Sequence, residues 1–181
     1  ITKLKIYKFK TGTKIFDWTV PNEWIINDAW IKNENGKKII DLKKNNLHVV
    51  AYSNKINKFI KLEELKSKIY SSKTRKNAIP YVTSFYKKDW GFCLSYNQNK
   101  KLKKGVYHVF IDSKFKKGNL LIGEFFLPGR LKKEILLSTY ICHPSMANNE
   151  LSGPVVLTQI SKWLSEIKNR KYSYRIVFAP E

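Results

Sequence analysis

Acidic residues are scarce in this sequence. Only 14 of 181 residues are Asp or Glu, against 35 Lys or Arg, which leaves a formal net charge of +21. An excess of this size favours phosphate backbones, anionic lipid or acidic glycans. The basic residues are mostly Lys and scattered, and only short runs such as Lys100, Lys101, Leu102, Lys103 and Lys104 cluster. The charge is therefore read as a solvated basic surface, with no specific nucleic-acid partner expected. Cysteine is scarce too. Cys93 and Cys142 form no CxxC pair and sit inside apolar segments, which argues against a disulfide framework and for two buried thiols. No apolar run approaches the roughly 20 residues that span a bilayer, and residues 1–10 show no secretory pattern. A cytoplasmic protein without a membrane partner is expected. The chain starts at Ile1 and stops at Glu181, directly after an apolar run. Both ends read as cut, so a fragment of a longer protein is expected.

What is present suffices for a core: 43% of the residues are hydrophobic and 14% aromatic. That suits one domain, or a domain plus a piece of another. Residues 3–10 alternate loosely and read as an edge strand. The Asn35-Gly36 pair lies between the apolar runs 29–31 and 38–41, a hairpin signal because both residues tolerate positive φ. Residues 47–52 read as a short strand. Leu62, Leu65 and Ile69 fall at helical spacing, which predicts a short helix over 62–70. The aromatic stretch 78–94, with Pro80 and Gly91, reads as irregular. Two further β-like runs, 105–112 and 120–127, flank the turn at 116–119. The stretch 15–128 is thus expected to be a mainly β module, with Trp18, Trp24, Trp30 and Trp90 in its core and His48 and His108 as ordinary sheet residues.

After Pro128-Gly129 the pattern changes. Residues 134–142 form a compact apolar run without alternation, as a strand buried on both faces would. From Ser152 to Lys168, Val155, Val156, Ile160, Trp163, Leu164 and Ile167 follow helical spacing, with Ser152 as the expected N-cap. Residues 172–179 read as another strand. Strand, helix, strand is a βαβ unit, which implies parallel strands.

Ligands collect beyond the carboxyl ends of parallel strands. His143 follows the first of these strands and Glu181 the second, with the amide- and carboxylate-bearing loop 144–153 between them. Imidazole with oxygen donors suits zinc or a similar divalent ion, and a nearby carboxylate can take a proton from bound water. On residue types alone, His143 reads more readily as a capped turn residue than as a ligand, and Asn148 and Asn149 read as turn residues.

The stretch 138–154, Ser-Thr-Tyr-Ile-Cys-His-Pro-Ser-Met-Ala-Asn-Asn-Glu-Leu-Ser-Gly-Pro, resembles the signature of bacterial aminopeptidase-like proteins, domains of unknown function related to the zinc-dependent aminopeptidases. The resemblance continues through residues 17–24, 78–83 and 90–93 and covers nearly the whole chain. It implies an α/β fold: a partial zinc-aminopeptidase-like core, βαβ with a mostly parallel sheet, carrying an inserted small β-rich domain. Residues 1–14 would start the core, 15–128 form the insertion, and 129–181 continue the truncated core. It also implies a metal-dependent hydrolase of peptide or amide bonds using one or two zinc ions. His143 matches the first metal-binding His and Glu181 the general base. Asn149 holds the place of the metal-bridging Asp. A neutral amide bridges two cations poorly, so a one-metal site, recruitment of Glu150 as a ligand, or a non-catalytic relative whose β module binds a partner or polysaccharide are the alternatives. The expected substrate is a peptide or a small amide-bearing molecule. The fragment by itself is expected to be inactive, and oligomerisation is left open.

Overall fold

The protein is described here by a computed structural model, which covers residues 3–143 and 146–180. In chain order the strands are β1 (Lys5–Lys10), β2 (Lys14–Ile15), β3 (Trp18–Thr19), β4 (Glu23–Lys32), β5 (Lys38–Asp41) and β6 (Ile56–Lys61). Helix α1 (Leu62–Ser67) leads to the short strands β7 (Ile69–Tyr70) and β8 (Phe92–Cys93) and to helix α2 (Tyr96–Lys100). Then come β9 (Val106–Lys116), β10 (Asn119–Leu127), β11 (Glu134–Tyr140), a π-helical turn (Ala147–Leu151), α3 (Ser152–Glu166) and β12 (Ser173–Ala179). Two compact units result: Ile1–Glu23 with Lys117–Glu181, and Trp24–Lys116.

The first unit holds a four-stranded sheet in the order β1-β10-β12-β11. β11 and β12 are parallel and joined through α3, as the βαβ reading expects. The other two pairings, β1 with β10 and β10 with β12, are antiparallel, so this described sheet is not mostly parallel. The reason lies in β10. This strand lies inside the stretch 15–128 expected to be a β-rich insertion, but it pairs with β1 and β12, and both run opposite to it. Arg175 on β12 ties the sheet laterally, with Nη1 2.8 Å from Glu124 on β10 and Nε 2.8 Å from Glu134 on β11.

One face of α3 supplies the core. Leu157 and Leu164 pack with Leu127 and Ile176, and Phe125, Leu137 and Ile160 flank them. Burying each such side chain contributes about 1.5–3 kcal/mol. Val155, Val156 and Trp163, counted from sequence on the same apolar face, are exposed. The buried stripe runs through Leu157, Ile160 and Leu164, and at about 100° per residue Val155, Val156 and Trp163 fall outside it. β11 is also largely exposed, with Leu136 at 62%, which corrects the expectation of a strand buried on both faces. It stands at one end of the sheet order, where one flank has no strand partner among the described residues.

Ser152 does not cap α3. The chain is already helical from Ala147, so Ser152 takes helical dihedrals and its hydroxyl donates back to the Asn148 carbonyl. That is the bond a helix-interior serine makes.

The second unit holds a sheet in the order β5-β4-β9-β6. Its period-2 pattern puts Ala29, Ile31, Ile40, Ile60, Val109 and Ile111 on the buried side, where Leu62, Leu65, Phe92 and Leu94 complete the core. The Asn-Gly hairpin joins β4 and β5 as expected: Gly36 has φ 70° and its N–H donates to the Asn33 carbonyl at 2.9 Å. Trp24, Trp30 and Trp90 are only half-buried, and Trp18, also half-buried, belongs to the first unit. Trp90 packs against the core, whereas Trp24 stacks on Tyr52 and Trp30 on Phe110. Residues 47–52 are not a strand. Asn46–His48 form a 3-10 turn capped by Asn45, with isolated bridges at Val49 and Ala51. His48 lies buried there, its Nδ1 2.8 Å from the Cys93 carbonyl oxygen, while His108 stands on β9 with Nε2 2.6 Å from Asn57 Oδ1.

Candidate functional site

The carboxyl ends of β11 and β12 lie side by side. Their register pairs Tyr140 with Ala179, and the Ile141 N–H donates to the Ala179 carbonyl at 2.9 Å. His143 follows this point directly. The chain then re-enters helical structure through the π-helical turn, a widened geometry frequent at functional sites.

That turn delivers Glu150. Its carboxylate is buried, with only 4% of the residue exposed. Oε1 lies 2.7 Å from His143 Nδ1, and Oε2 accepts the Cys142 N–H at 2.7 Å. Burial pushes the Glu150 carboxyl up, but the bonds from Cys142 and His143 outweigh it and hold the group below its ordinary value. Being ionised, the carboxylate only accepts, so Nδ1 of His143 carries the proton of this bond. An open hollow beside the pair is lined by Ile141, Cys142, His143, Met146, Ala147, Glu150 and Leu151.

Two of the four expected site residues, His143 and Glu150, are therefore brought together. Asn149 is exposed on the π-helical turn. Glu181 lies outside the described residues. Among the described residues no group of three His, Cys, Asp or Glu gathers as a metal site would need. The sequence reading missed the Cys142 amide. A backbone donor leaves no residue-type signal, and only the fold shows that it faces Glu150. Cys142 is also exposed rather than buried, whereas Cys93 is buried as expected. No helix among the described residues is long and apolar enough to cross a membrane.

Comparison with known proteins agrees with this architecture. The chain matches the domain-of-unknown-function family DUF4910 over residues 1–181. It is 51% identical over 178 residues to a Clostridium acetobutylicum protein named "Putative polysaccharide biosynthesis protein with aminopeptidase-like domain", covering 98% of this chain and 41% of that protein. A crystal structure from C. acetobutylicum described as a "putative peptidase" superposes with a TM-score of 0.93 at 50% identity, over 99% of this chain and 42% of that one. BSAP, a zinc aminopeptidase from Bacillus subtilis, superposes with a TM-score of 0.58 at 8% identity, over 98% of this chain and 50% of its own. At that identity the likeness shows the fold alone. The chain spans less than half the length of the curated relative it matches.

Proposed function

The chain belongs to the DUF4910 family, and we propose on that footing that it forms part of an aminopeptidase-like, metal-dependent hydrolase of peptide or amide bonds. The observation that carries this reading is the His143–Glu150 pair, set where the parallel strands β11 and β12 end together. A buried carboxylate on one imidazole nitrogen is the arrangement that fixes the tautomer and orientation of a metal-binding His. The described residues fit part of a zinc site, in which His143 would be a ligand and Glu150 would be the group that orients it rather than a ligand. Zinc bound there would polarise a substrate carbonyl and acidify a water molecule.

The chain's own residues divide the remaining work. Glu150 keeps the Nδ1 proton in place and holds the imidazole against rotation. Glu181, following β12, acts as the general base that takes a proton from water. Asn149 lacks the charge that would hold two cations together, which favours one ion over two. The relative's name, which pairs polysaccharide biosynthesis with an aminopeptidase-like domain, supports an amide on a modified sugar as substrate beside a peptide.

The test is the metal content of the full-length protein, with and without His143→Ala. Near-stoichiometric zinc that falls away in His143→Ala, and an affinity about 10–100-fold weaker in Glu150→Gln, is the expected result. Absence of zinc from the wild-type protein would sink the reading. The second reading, a non-catalytic relative whose other unit binds a polysaccharide or partner, is favoured by Asn149 at the bridging-Asp position.

A further inference from the structure

Lys101, Lys103 and Lys104 of the lysine run line a cleft in the second unit. This hollow, of ≈ 590 Å³, lies between the β4–β5 turn and the loop that follows α2. Its floor is apolar, made by Ile39, Ile40, Leu94, Leu102 and Tyr107. Its rim carries Lys37, Lys38, Lys101, Lys103 and Lys104 against the single carboxylate of Glu34.

The backbone under these lysines is fixed from several sides. Ser95 and Gln98 close a capping box at the start of α2. The N–H groups of Lys101 and Leu102 donate to the Gln98 and Asn99 carbonyls, and Leu102 packs against the core. The Tyr107 hydroxyl donates to the Lys103 carbonyl at 2.7 Å, and the Gly105 carbonyl accepts the Leu62 N–H at 3.1 Å. On the opposite wall, Glu34 Oε1 accepts the Val106 N–H at 2.8 Å, so the one acidic group holds the turn in place. Lys38 is paired with Asp41 at 3.1 Å. Lys37, Lys101, Lys103 and Lys104 have no ion pair among the described residues.

We propose that this cleft binds an acidic saccharide through its carboxylate or phosphate groups. Cations of one sign around a concave, low-dielectric floor focus the potential and raise the local anion concentration. Lysine acts as a point charge that accepts either anion without the fork geometry arginine imposes. The half-exposed side chains of Ile39 and Leu102 suit the C–H face of a sugar ring. Tyr107, the one aromatic residue of the lining, is 5% exposed, so the cleft lacks the open ring on which nucleobases stack.

This inference does not depend on the hydrolase reading, and its experiment is separate. The full-length protein is titrated with an oligogalacturonate, a neutral dextran oligomer and an oligothymidylate of matched charge, at low and at physiological salt. The same titrations follow for Lys101→Gln/Lys103→Gln/Lys104→Gln and for a control triple, Lys55→Gln/Lys73→Gln/Lys88→Gln, which removes equal charge elsewhere in the unit. The uronate should bind and the dextran should not. The cleft triple should weaken uronate binding at least about tenfold, and the control triple less than about twofold. Equal losses in the two triples would reduce the effect to bulk charge and overturn the proposal. So would tighter binding of the oligothymidylate, or no uronate binding at all.

Discussion

Glu150→Gln keeps the side-chain shape and removes its charge. In the folded chain both carboxylate oxygens are engaged, Oε1 by His143 Nδ1 and Oε2 by the Cys142 N–H, each at 2.7 Å, in a place where the residue is 4% exposed. Hydrogen bonds to a charged partner are worth about 1.5–3 kcal/mol each, and a buried group left unsatisfied costs about 1–3 kcal/mol. A glutamine can accept the Cys142 N–H, but both charge-assisted bonds are lost, and its NH2 meets an acceptor at Nδ1 only if the imidazole proton moves to Nε2. The expected loss at neutral pH is therefore about 2–3 kcal/mol. For a chain of this size, at about 2–4 °C per kcal/mol, the unfolding midpoint should fall by about 4–12 °C. Scanning calorimetry gives the shift, and amide hydrogen exchange at Cys142 should accelerate with it.

The pH dependence has a fixed sign. Glu150 is held below its ordinary value in the folded chain, so its contribution is present above the unfolded carboxyl value, about 4.3, and is lost as pH falls through the lower folded value. The gap between wild type and Glu150→Gln should then persist on the alkaline side of about 4.3 and close in acid. A variant that unfolds like wild type at neutral pH, or a gap that widens below that value, would refute the reasoning.

Three further outcomes are expected. A Cβ at Gly129 would collide with the Tyr172 carbonyl, which is backbone and cannot rotate away, so Gly129→Ala should cost at least about 1–3 kcal/mol in urea unfolding; a shift below about 0.5 kcal/mol contradicts this. At Gly153 a Cβ would meet Thr139 Oγ1, so Gly153→Ala should destabilise α3 against β11, and adding Thr139→Ala should recover part of the loss. A double-mutant cycle should show about 0.5–3 kcal/mol of coupling, and strict additivity would dismiss the contact. Finally, burial pushes the Cys93 thiol up to about 12, whereas Cys142 is exposed. Iodoacetamide should label Cys142 in the native protein and Cys93 only after unfolding, and native labelling of Cys93 would show that its core opens.

Local chemistry was legible in the sequence because its causes are local. Asn35-Gly36 marked a hairpin, and of the two only Gly36 takes the positive φ, at 70°, that favours glycine. Strand, helix, strand after Pro128-Gly129 specified parallel β11 and β12, and hence the strand ends at which His143 sits. The partners of each element depended on residues far away. β1 pairs with β10 across more than a hundred residues, and no local pattern marks a neighbour at that distance. The same limit hid the exposure of β11, since an apolar run records how buried a strand can be and not what covers it. It also hid the work of Glu150. As a residue type this was an oxygen donor among several near His143. Only the π-helical turn, by swinging its carboxylate beneath His143 and the Cys142 N–H, made it the buried charge that holds the imidazole.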